Sequence, residues 1–160
     1  MTVGTLVFLC GKMGAGKSTR AAAIARERGA VLLSEDVWLA ALYPGEIQSL
    51  DDYVARSRRL KRPLTALVQA TLASGTDVVL DFAANTVAQR AWFRSLFSEV
   101  EAPHELVYID VDDARCLEQI AQRRAEQPER AATDTEAMFR RVTAHFAPPT
   151  DAEGFNVVQL

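Results

Sequence analysis

The sequence has only two cysteines, Cys10 and Cys116, and their spacing fits no metal-binding motif. Scattered cysteines of this kind are typical of reduced thiols, so we expect a cytoplasmic protein rather than a disulfide-stapled secreted one. The chain also lacks a charged-then-apolar leader and any apolar run near the roughly 20 residues that span a bilayer. We therefore expect a soluble protein without a membrane partner.

A strong charge of one sign is also missing. The 160 residues carry 18 Lys and Arg against 21 Asp and Glu, a formal charge of −3, which argues against a general nucleic-acid or membrane-surface binder. Glycine and proline are few, at 8 and 6, while 49% of the residues are hydrophobic. This composition predicts one globular domain over residues 1–160.

A glycine-rich turn near the start of the chain is the most informative motif. Gly11 and the run Gly16–Ser18 fit the pattern G-x-x-x-x-G-K-[ST]. An apolar segment, Val3–Cys10, predicts a buried strand before the turn, and Lys17–Arg28 predicts a helix after it. Strand, glycine-rich turn and helix together indicate a phosphate-binding loop, the alternative being a glycine-rich turn without a ligand.

Each residue type in this loop suits a nucleoside triphosphate. Glycines allow backbone N–H groups to curl around a phosphate, and the following helix N-terminus favours a negative guest. Lys17 would bridge the β and γ phosphates, and the Ser18 hydroxyl would bind Mg²⁺. The predicted nucleotide-binding residues are Gly11, Met13, Gly14, Ala15, Gly16, Lys17, Ser18, Thr19 and, from later in the chain, Arg123.

Predicted strands and helices alternate along the rest of the chain, which indicates an α/β layered fold with a mostly parallel sheet. Pro63 predicts a kink or break inside its helix, and Pro128 lies in a segment that breaks the helical pattern and suits a flexible flap. The strands are expected at 30–33, 77–81, 106–111 and 156–159, and the helices at 36–42, 51–73, 87–100, 112–126 and 134–146.

Two acids stand where the second and third strands end. Ligands of such folds bind at the carboxyl ends of the strands, so Asp36 is a candidate general base and Asp81 a candidate metal partner. Glu35 could substitute for Asp36, and either aspartate could simply cap a helix.

Basic residues form two further candidate groups. Arg123, Arg124 and Arg130 flank the Pro128 break, where an arginine could close over a triphosphate or remain an exposed cation. A basic run on the third helix is either a solvated face or a grip on an anionic substrate, including nucleic acid. It consists of Arg56, Arg58, Arg59, Lys61 and Arg62.

Taken together, the motifs resemble the small P-loop kinases of the AAA_33, or predicted-kinase, family, which is similar to zeta-toxin, chloramphenicol-phosphotransferase and polynucleotide-kinase domains. The resemblance runs through nearly the whole chain and is carried by five segments: CGKMGAGKST, LLSEDVWLAAL, VVLDFAANTVAQRAWF, YIDVDDARCLEQIAQRR and FRRVTAHFAPPT.

The resemblance implies a three-layer P-loop kinase fold with a five-stranded sheet in the order 2-3-1-4-5 and a small lid. It implies Asp36 as base or substrate anchor, Asp81 near the metal, Arg90 on the substrate side and Arg123 as the lid arginine. The chain departs from the family pattern, which usually has proline at Asp112, often arginine at Gln119 and asparagine at Arg124.

The leading hypothesis is an ATP- and Mg²⁺-dependent kinase that transfers the γ phosphate to a hydroxyl of a small molecule or a nucleotide. Gln119 and Arg124 motivate an alternative, a nucleotide-binding regulatory module with little transfer. The basic run motivates another, a polynucleotide 5′-kinase. The sequence leaves the acceptor, the choice of ATP over GTP and the oligomeric state open.

Overall fold

Five parallel strands form the central sheet, in the order β2-β3-β1-β4-β5, with helices around it. The computed structural model describes residues 2–160. The predicted sheet and its strand order are confirmed. The strands are β1 Leu6–Cys10, β2 Val31–Ser34, β3 Val78–Asp81, β4 His104–Tyr108 and β5 Val157–Gln159, and the helices are α1 Lys17–Arg28, α2 Glu35–Leu42, α3 Leu50–Ala73, α4 Val87–Glu99, α5 Asp113–Glu126 and α6 Glu136–Thr143.

Strand β1 lies in the middle of the sheet, and all five of its residues are buried. Its side chains alternate between the two faces, as strand geometry requires. Phe8 packs in the larger core under α3 and α4, where it stacks on Phe93 with ring centroids 4.5 Å apart. Val7 and Leu9 pack on the opposite face with alanines of α1. β1 is therefore apolar along its whole length because helices cover both faces of the sheet.

Several element bounds differ from the sequence-based ones. β1 begins at Leu6 rather than Val3, and Gly4 lies so close to the Thr76 carbonyl that a Cβ would stand 2.0 Å from its oxygen. β2 ends at Ser34, one residue later than expected, and β4 ends at Tyr108 rather than Val111. The last helix begins at Glu136, because Thr135, not Asp134, is its N-cap residue.

The break expected at Pro63 is wrong, because α3 is continuous from Leu50 to Ala73 with Pro63 inside it. Pro63 is exposed, and the helix is held on both sides of it by one buried stripe. That stripe comprises Ser57, Leu60, Leu64, Val68 and Leu72, spaced three or four residues apart. Burial of this stripe against the sheet outweighs the local cost of proline.

Membrane insertion has no candidate segment in the described residues. Within 2–160, every helix falls short of the length and apolarity that a bilayer crossing requires.

Replacing Pro63 with alanine should stabilise the protein. Proline costs about 3 kcal/mol in a helix interior relative to alanine, and the exposed site leaves no packing to lose. We expect the free energy of unfolding of Pro63→Ala, from urea titration, to rise by about 1 to 3 kcal/mol. Pro103→Ala is the control, an exposed proline outside any helix, where we expect no gain. Equal effects of the two substitutions would contradict this reasoning.

Candidate active site

The glycine-rich loop joins β1 to α1 in a conformation that only glycine adopts without strain. Gly14 and Gly16 have φ values of 81° and 94°, in the left-handed region. Gly16 is the N-cap residue of α1, and no side chain caps the helix there. The first backbone N–H groups of α1 are therefore available to an anion in front of the loop.

Helix α5 packs directly on this loop. A Cβ at Gly14 would stand 2.7 Å from both the Cys116 carbonyl oxygen and the Ile120 Cγ1 atom. The side chains of Met13 and Ala15 join the same apolar cluster with Cys116, Ile120 and Phe139. The side chains of Met13 and Ala15 therefore secure the loop against α5, and the Ala15 N–H donates to the Lys12 carbonyl oxygen within the loop.

A buried asparagine holds the first glycine of the loop. The Gly11 N–H donates to Asn85 Oδ1 at 3.0 Å, and the Asn85 side chain is only 8% exposed. Asn85 also receives the Ala147 N–H at its carbonyl, 2.8 Å away. Asn85 does not cap α4, because Thr86 is the N-cap residue of that helix, with a capping box to Gln89. Asn85 instead ties three chain segments together.

The predicted metal partners lie side by side. Ser18 Oγ donates to Asp81 Oδ2 at 2.7 Å, although the two residues are 63 positions apart in sequence. A hydroxyl and a carboxylate are hard oxygen donors, the type that Mg²⁺ prefers when it keeps several waters or phosphate oxygens. This donor set fits Mg²⁺. No group of three or more His, Cys, Asp or Glu residues within 2–160 is arranged to hold a metal.

The two acids after β2 have different environments. Glu35 is 3% exposed and accepts hydrogen bonds from the Tyr53 hydroxyl and the Ser57 hydroxyl. Burial, followed by the nearby Glu35 charge, raises the pKa of Tyr53 well above its ordinary value, so Tyr53 remains a donor. The Asp36 side chain is 63% exposed. Glu35 therefore braces α2 against α3, and Asp36 is the acid that a substrate can reach.

Strand register brings the segments that hold Asp36 and Asp81 to the same edge of the sheet. β2 and β3 run parallel with Ser34 opposite Asp81, so Asp36 follows two residues beyond that pair. β1 lies on the other side of β3, and its continuation is the glycine-rich loop. The acid, the metal partners and the loop thus meet at one edge of the sheet.

The basic run of α3 does not form a single surface. Arg56 lies over the Tyr43 ring and pairs with Glu46 at 3.1 Å, while Lys61 Nζ lies 5.1 Å from the centre of the Trp92 ring. Burial lowers the pKa of Lys61. The remaining three members, Arg58, Arg59 and Arg62, are exposed. The run therefore divides into two partly buried cations and an outward-facing group of three.

Arg90, expected on the substrate side, is instead an internal tie. Its side chain is fully buried, with Nε 2.8 Å from Glu153 Oε1 and Nη1 2.9 Å from the Ala84 carbonyl oxygen. The hydrogen bond from Arg90 lowers the pKa of Glu153. A guanidinium that is buried and hydrogen-bonded within the protein cannot contact a substrate, so the expectation that Arg90 lies on the substrate side is corrected. Arg90 joins the β3–α4 loop to the segment before β5.

The Cys10 thiol lies beside Arg90 at the end of β1, with its Sγ 3.9 Å from Arg90 Nη1. Burial raises the pKa of Cys10 to about 11, even though Arg90 and Lys17 act in the opposite direction. A protonated, buried thiol is a poor nucleophile. Cys10 is therefore a core residue and takes no chemical part in the site.

The lid arginines converge on one acid. Arg123 makes two hydrogen bonds to the Asp134 carboxylate, at 2.7 and 2.9 Å, and Arg130 Nε makes a third at 2.9 Å. Arg124 donates to the Asp134 carbonyl oxygen at 3.2 Å. Arg130 Nη2 also lies 3.7 Å from Asp36 Oδ2. Asp134, expected to start α6, is instead the shared partner of the lid.

Gln119 lies against the glycine-rich loop, where the family pattern often has arginine. A Cβ at Gly16 would be 3.9 Å from the end of the Gln119 side chain. With its amide oriented to satisfy both ends, Gln119 donates to the Gly14 carbonyl oxygen and accepts from Arg115 Nε. Gln119 thus binds the glycine-rich loop through an uncharged hydrogen bond, and positive charge near the loop must come from other residues.

Comparison with known proteins assigns the family. The sequence model of AAA_33, described as an AAA domain, matches residues 6–149. The chain belongs to the AAA_33 family. The resemblance drawn from its motifs is thereby confirmed, and none of the curated proteins matches this AAA_33 chain significantly in sequence.

Solved structures share the fold of this AAA_33 chain at low identity. Kti12 from Chaetomium thermophilum, in complex with ADP-AlF3, is 17% identical with a TM-score of 0.70, over 97% of this chain and 88% of that one. APS kinase from Mycobacterium tuberculosis, in complex with AMPPNP and APS, is 21% identical with a TM-score of 0.59, over 100% and 89%. A gluconokinase from Sinorhizobium meliloti 1021 is 19% identical with a TM-score of 0.60, over 98% and 82%. These likenesses establish a P-loop kinase fold.

The site thus contains most of the predicted residues and two that were not predicted to belong to it. The glycine-rich loop, Ser18 and Asp81 are together, and Asp36 lies across from them near Arg130. Asn85 and Asp134 were missed as site residues, because a short polar side chain next to a helix reads as a cap. For Asp134, the signal available in the sequence was the presence of Arg123 and Arg130 on either side of Pro128, since a nearby acid would balance their charge.

Removing the Asn85 amide should destabilise the loop. Asn85→Ala leaves the Gly11 N–H buried without its acceptor, which costs about 1 to 3 kcal/mol. We expect the free energy of unfolding to fall by that amount in urea titration. Asn156→Ala is the control, since its exposed amide also bonds a main-chain carbonyl. Equal and small losses for both would show that Gly11 finds another partner.

Proposed function

We propose that the chain is an ATP- and Mg²⁺-dependent phosphotransferase that moves the γ phosphate to a hydroxyl group of a small molecule or a nucleotide. The observation that carries this proposal is the Ser18–Asp81 hydrogen bond of 2.7 Å at the mouth of the glycine-rich loop. It brings the two metal partners of a P-loop together at the strand edge where the reachable acid Asp36 also lies. Such an arrangement has a donor side and an acceptor side.

On the donor side, the loop backbone and Lys17 would hold the triphosphate, with Gly11, Gly14, Gly16 and Thr19 shaping the loop. Ser18 and Asp81 would hold Mg²⁺, which when bound neutralises charge on the β and γ phosphates. Asn85 keeps Gly11 in place, and α5 supports Gly14 from behind. Arg123 would approach the transferring group from the lid.

On the acceptor side, Asp36 would receive the proton of the attacking hydroxyl. The acceptor oxygen forms a bond to the γ phosphorus, the bond between that phosphorus and the β–γ bridging oxygen breaks, and ADP leaves. Little more than alignment and a proton acceptor is needed for this reaction. The 63% exposure of the Asp36 side chain supports this role. Glu35 is the less suitable acid, because it is buried and its carboxylate accepts hydrogen bonds from α3.

The comparisons support a kinase at the level of fold. The APS kinase, which was solved in complex with AMPPNP and APS, and the gluconokinase both share the architecture. The acceptor of this chain would be chosen in part by α3, which supplies the partly buried cations Arg56 and Lys61. The buried, unpaired Cys10 and Cys116 support a reducing, cytoplasmic setting.

Loss of the Asp36 carboxylate should abolish most transfer while leaving the donor side intact. Initial rates are measured with Mg·ATP and a panel of sugars, nucleosides, nucleotides and oligonucleotide 5′ ends. On any acceptor that wild type phosphorylates, we expect Asp36→Asn to be slower by about 100-fold or more, since general-base catalysis contributes about that much. ATP affinity, measured by calorimetry, should change little.

The matched control is Asp51→Asn, which removes an exposed acid from the first turn of α3. A near-wild-type rate for Asp36→Asn would refute the proposed base. Tight ATP binding without transfer to any acceptor would favour a nucleotide-binding regulatory module. Transfer confined to oligonucleotide ends, with affinity that falls steeply as salt rises, would identify a polynucleotide 5′-kinase.

A further inference from the structure

Asp134 is a buried carboxylate shared by two arginines of the lid. Its side chain is 1% exposed, yet Arg123 and Arg130 together give it three charge-assisted hydrogen bonds of 2.7 to 2.9 Å. Its backbone is also engaged, because the Asp134 N–H donates to the Arg130 carbonyl oxygen at 2.7 Å. The acid is therefore fixed from both its main chain and its side chain.

The charges of this cluster do not balance. One buried negative charge holds two guanidinium groups side by side, which leaves a surplus positive charge at the lid. Asp36 is the only other acid near Arg130 among the ion pairs of the described residues, and its 3.7 Å separation and exposure make that pair weak. Two arginines held in contact by one carboxylate favour binding of a further anion.

Each arginine keeps donors for that anion. Arg123 uses Nε and Nη2 on Asp134, and Arg130 uses Nε. Within residues 2–160, neither Nη1 group has a hydrogen-bond partner. Both side chains are also partly exposed, at 31% and 27%, whereas their shared acid is not. Asp134 thus binds both arginines on their buried side and leaves the Nη1 groups of both free to donate to an anion.

The pair spans the opening between the two halves of the site. Arg123 lies one helical turn beyond Gln119 on the same face of α5, and Gln119 contacts the glycine-rich loop. Arg130 reaches toward Asp36 on the other side. One arginine of the pair thus comes from the helix that contacts the glycine-rich loop, and the other faces Asp36.

We propose that Asp134 is a positioning residue that holds Arg123 and Arg130 as a pair for the γ phosphate of the bound triphosphate. This inference rests on the proposed function and extends it, because it assigns the pair to the one phosphate that distinguishes ATP from ADP. Arg130 thereby supplies the second lid charge that Gln119 does not. Asp134 itself contacts no substrate and acts through the two arginines.

The test compares two nucleotides without any acceptor. Calorimetry with Mg²⁺ measures the affinity of wild type and Asp134→Asn for a non-hydrolysable ATP analogue and for ADP. Because hydrogen bonds to charged groups contribute about 1.5 to 3 kcal/mol, we expect Asp134→Asn to lose about tenfold or more for the analogue. Its affinity for ADP should stay within about threefold, a selectivity that a purely structural role would not produce.

Two further variants complete the design. Arg140→Gln is the matched control, because the exposed Arg140 side chain pairs with Glu136 on α6, and we expect it to leave the analogue-to-ADP ratio unchanged. Arg123→Gln should lower the analogue-to-ADP affinity ratio. In the double variant, Asp134→Asn should lower this ratio by a smaller factor than it does in wild type, since both substitutions act through one contact. If Asp134→Asn fails to fold, Asp134→Glu retains the charge while displacing the arginines, and the same loss of ratio is expected.

Three results would overturn the proposal. Equal losses for the analogue and ADP would reduce Asp134 to a structural role, and unchanged affinities for both nucleotides would show that the arginine pair does not serve the γ phosphate. A higher affinity of Asp134→Asn for the analogue would mean that Asp134 withholds the arginines instead of presenting them. The proposed transfer reaction can fail in the acceptor screen while this ratio still changes as expected, so the two failures are distinguishable.

Discussion

The position of β3 between β1 and β2 is the constraint on which the candidate site depends. Parallel pairing brings the carboxyl ends of these strands to one edge, and each end continues into a different part of the site. β1 continues into the glycine-rich loop, β2 into α2 with Asp36, and β3 ends in Asp81. Because β3 is central among the three, its terminal carboxylate can meet Ser18 on one side while Asp36 follows on the other.

Packing behind the loop gives this edge its rigidity. Gly14 is pressed on α5 so closely that no side chain fits, and Gly11 is fixed by a buried amide from the β3–α4 loop. Arg90 then fastens that same β3–α4 loop to Glu153 near the C-terminal strand. The backbone of the glycine-rich loop is thus supported by side chains packed behind it. Such a supporting layer reduces the reorganisation that anion binding would otherwise require.

Sequence reasoning recovers the parts of this design that are local. The loop motif, the alternation of strands and helices, and the acids at two strand ends all follow from spacing and side-chain chemistry. The strand order came from the family resemblance, because the order depends on packing between distant segments. Pro63 was misjudged for the same reason, since burial of the α3 stripe outweighs a local helix preference. Arg90 and Asp134 were misassigned because their partners are 63 and 11 residues away.

The lid shows why a motif position and a function need not coincide. Gln119 lies against the loop but is neutral, whereas Arg130 comes from a segment of consecutive hydrogen-bonded turns that the helical pattern does not cover. The guanidinium of Arg130 lies near Asp36, and Asp134 holds Arg130 there through hydrogen bonds to both its side chain and its carbonyl oxygen. An arginine charge can therefore come from a different position in the sequence than the family motif uses, provided that a buried acid fixes the orientation of the arginine side chain. In this chain that counter-charge is a single acid, and it constrains Arg123 at the same time.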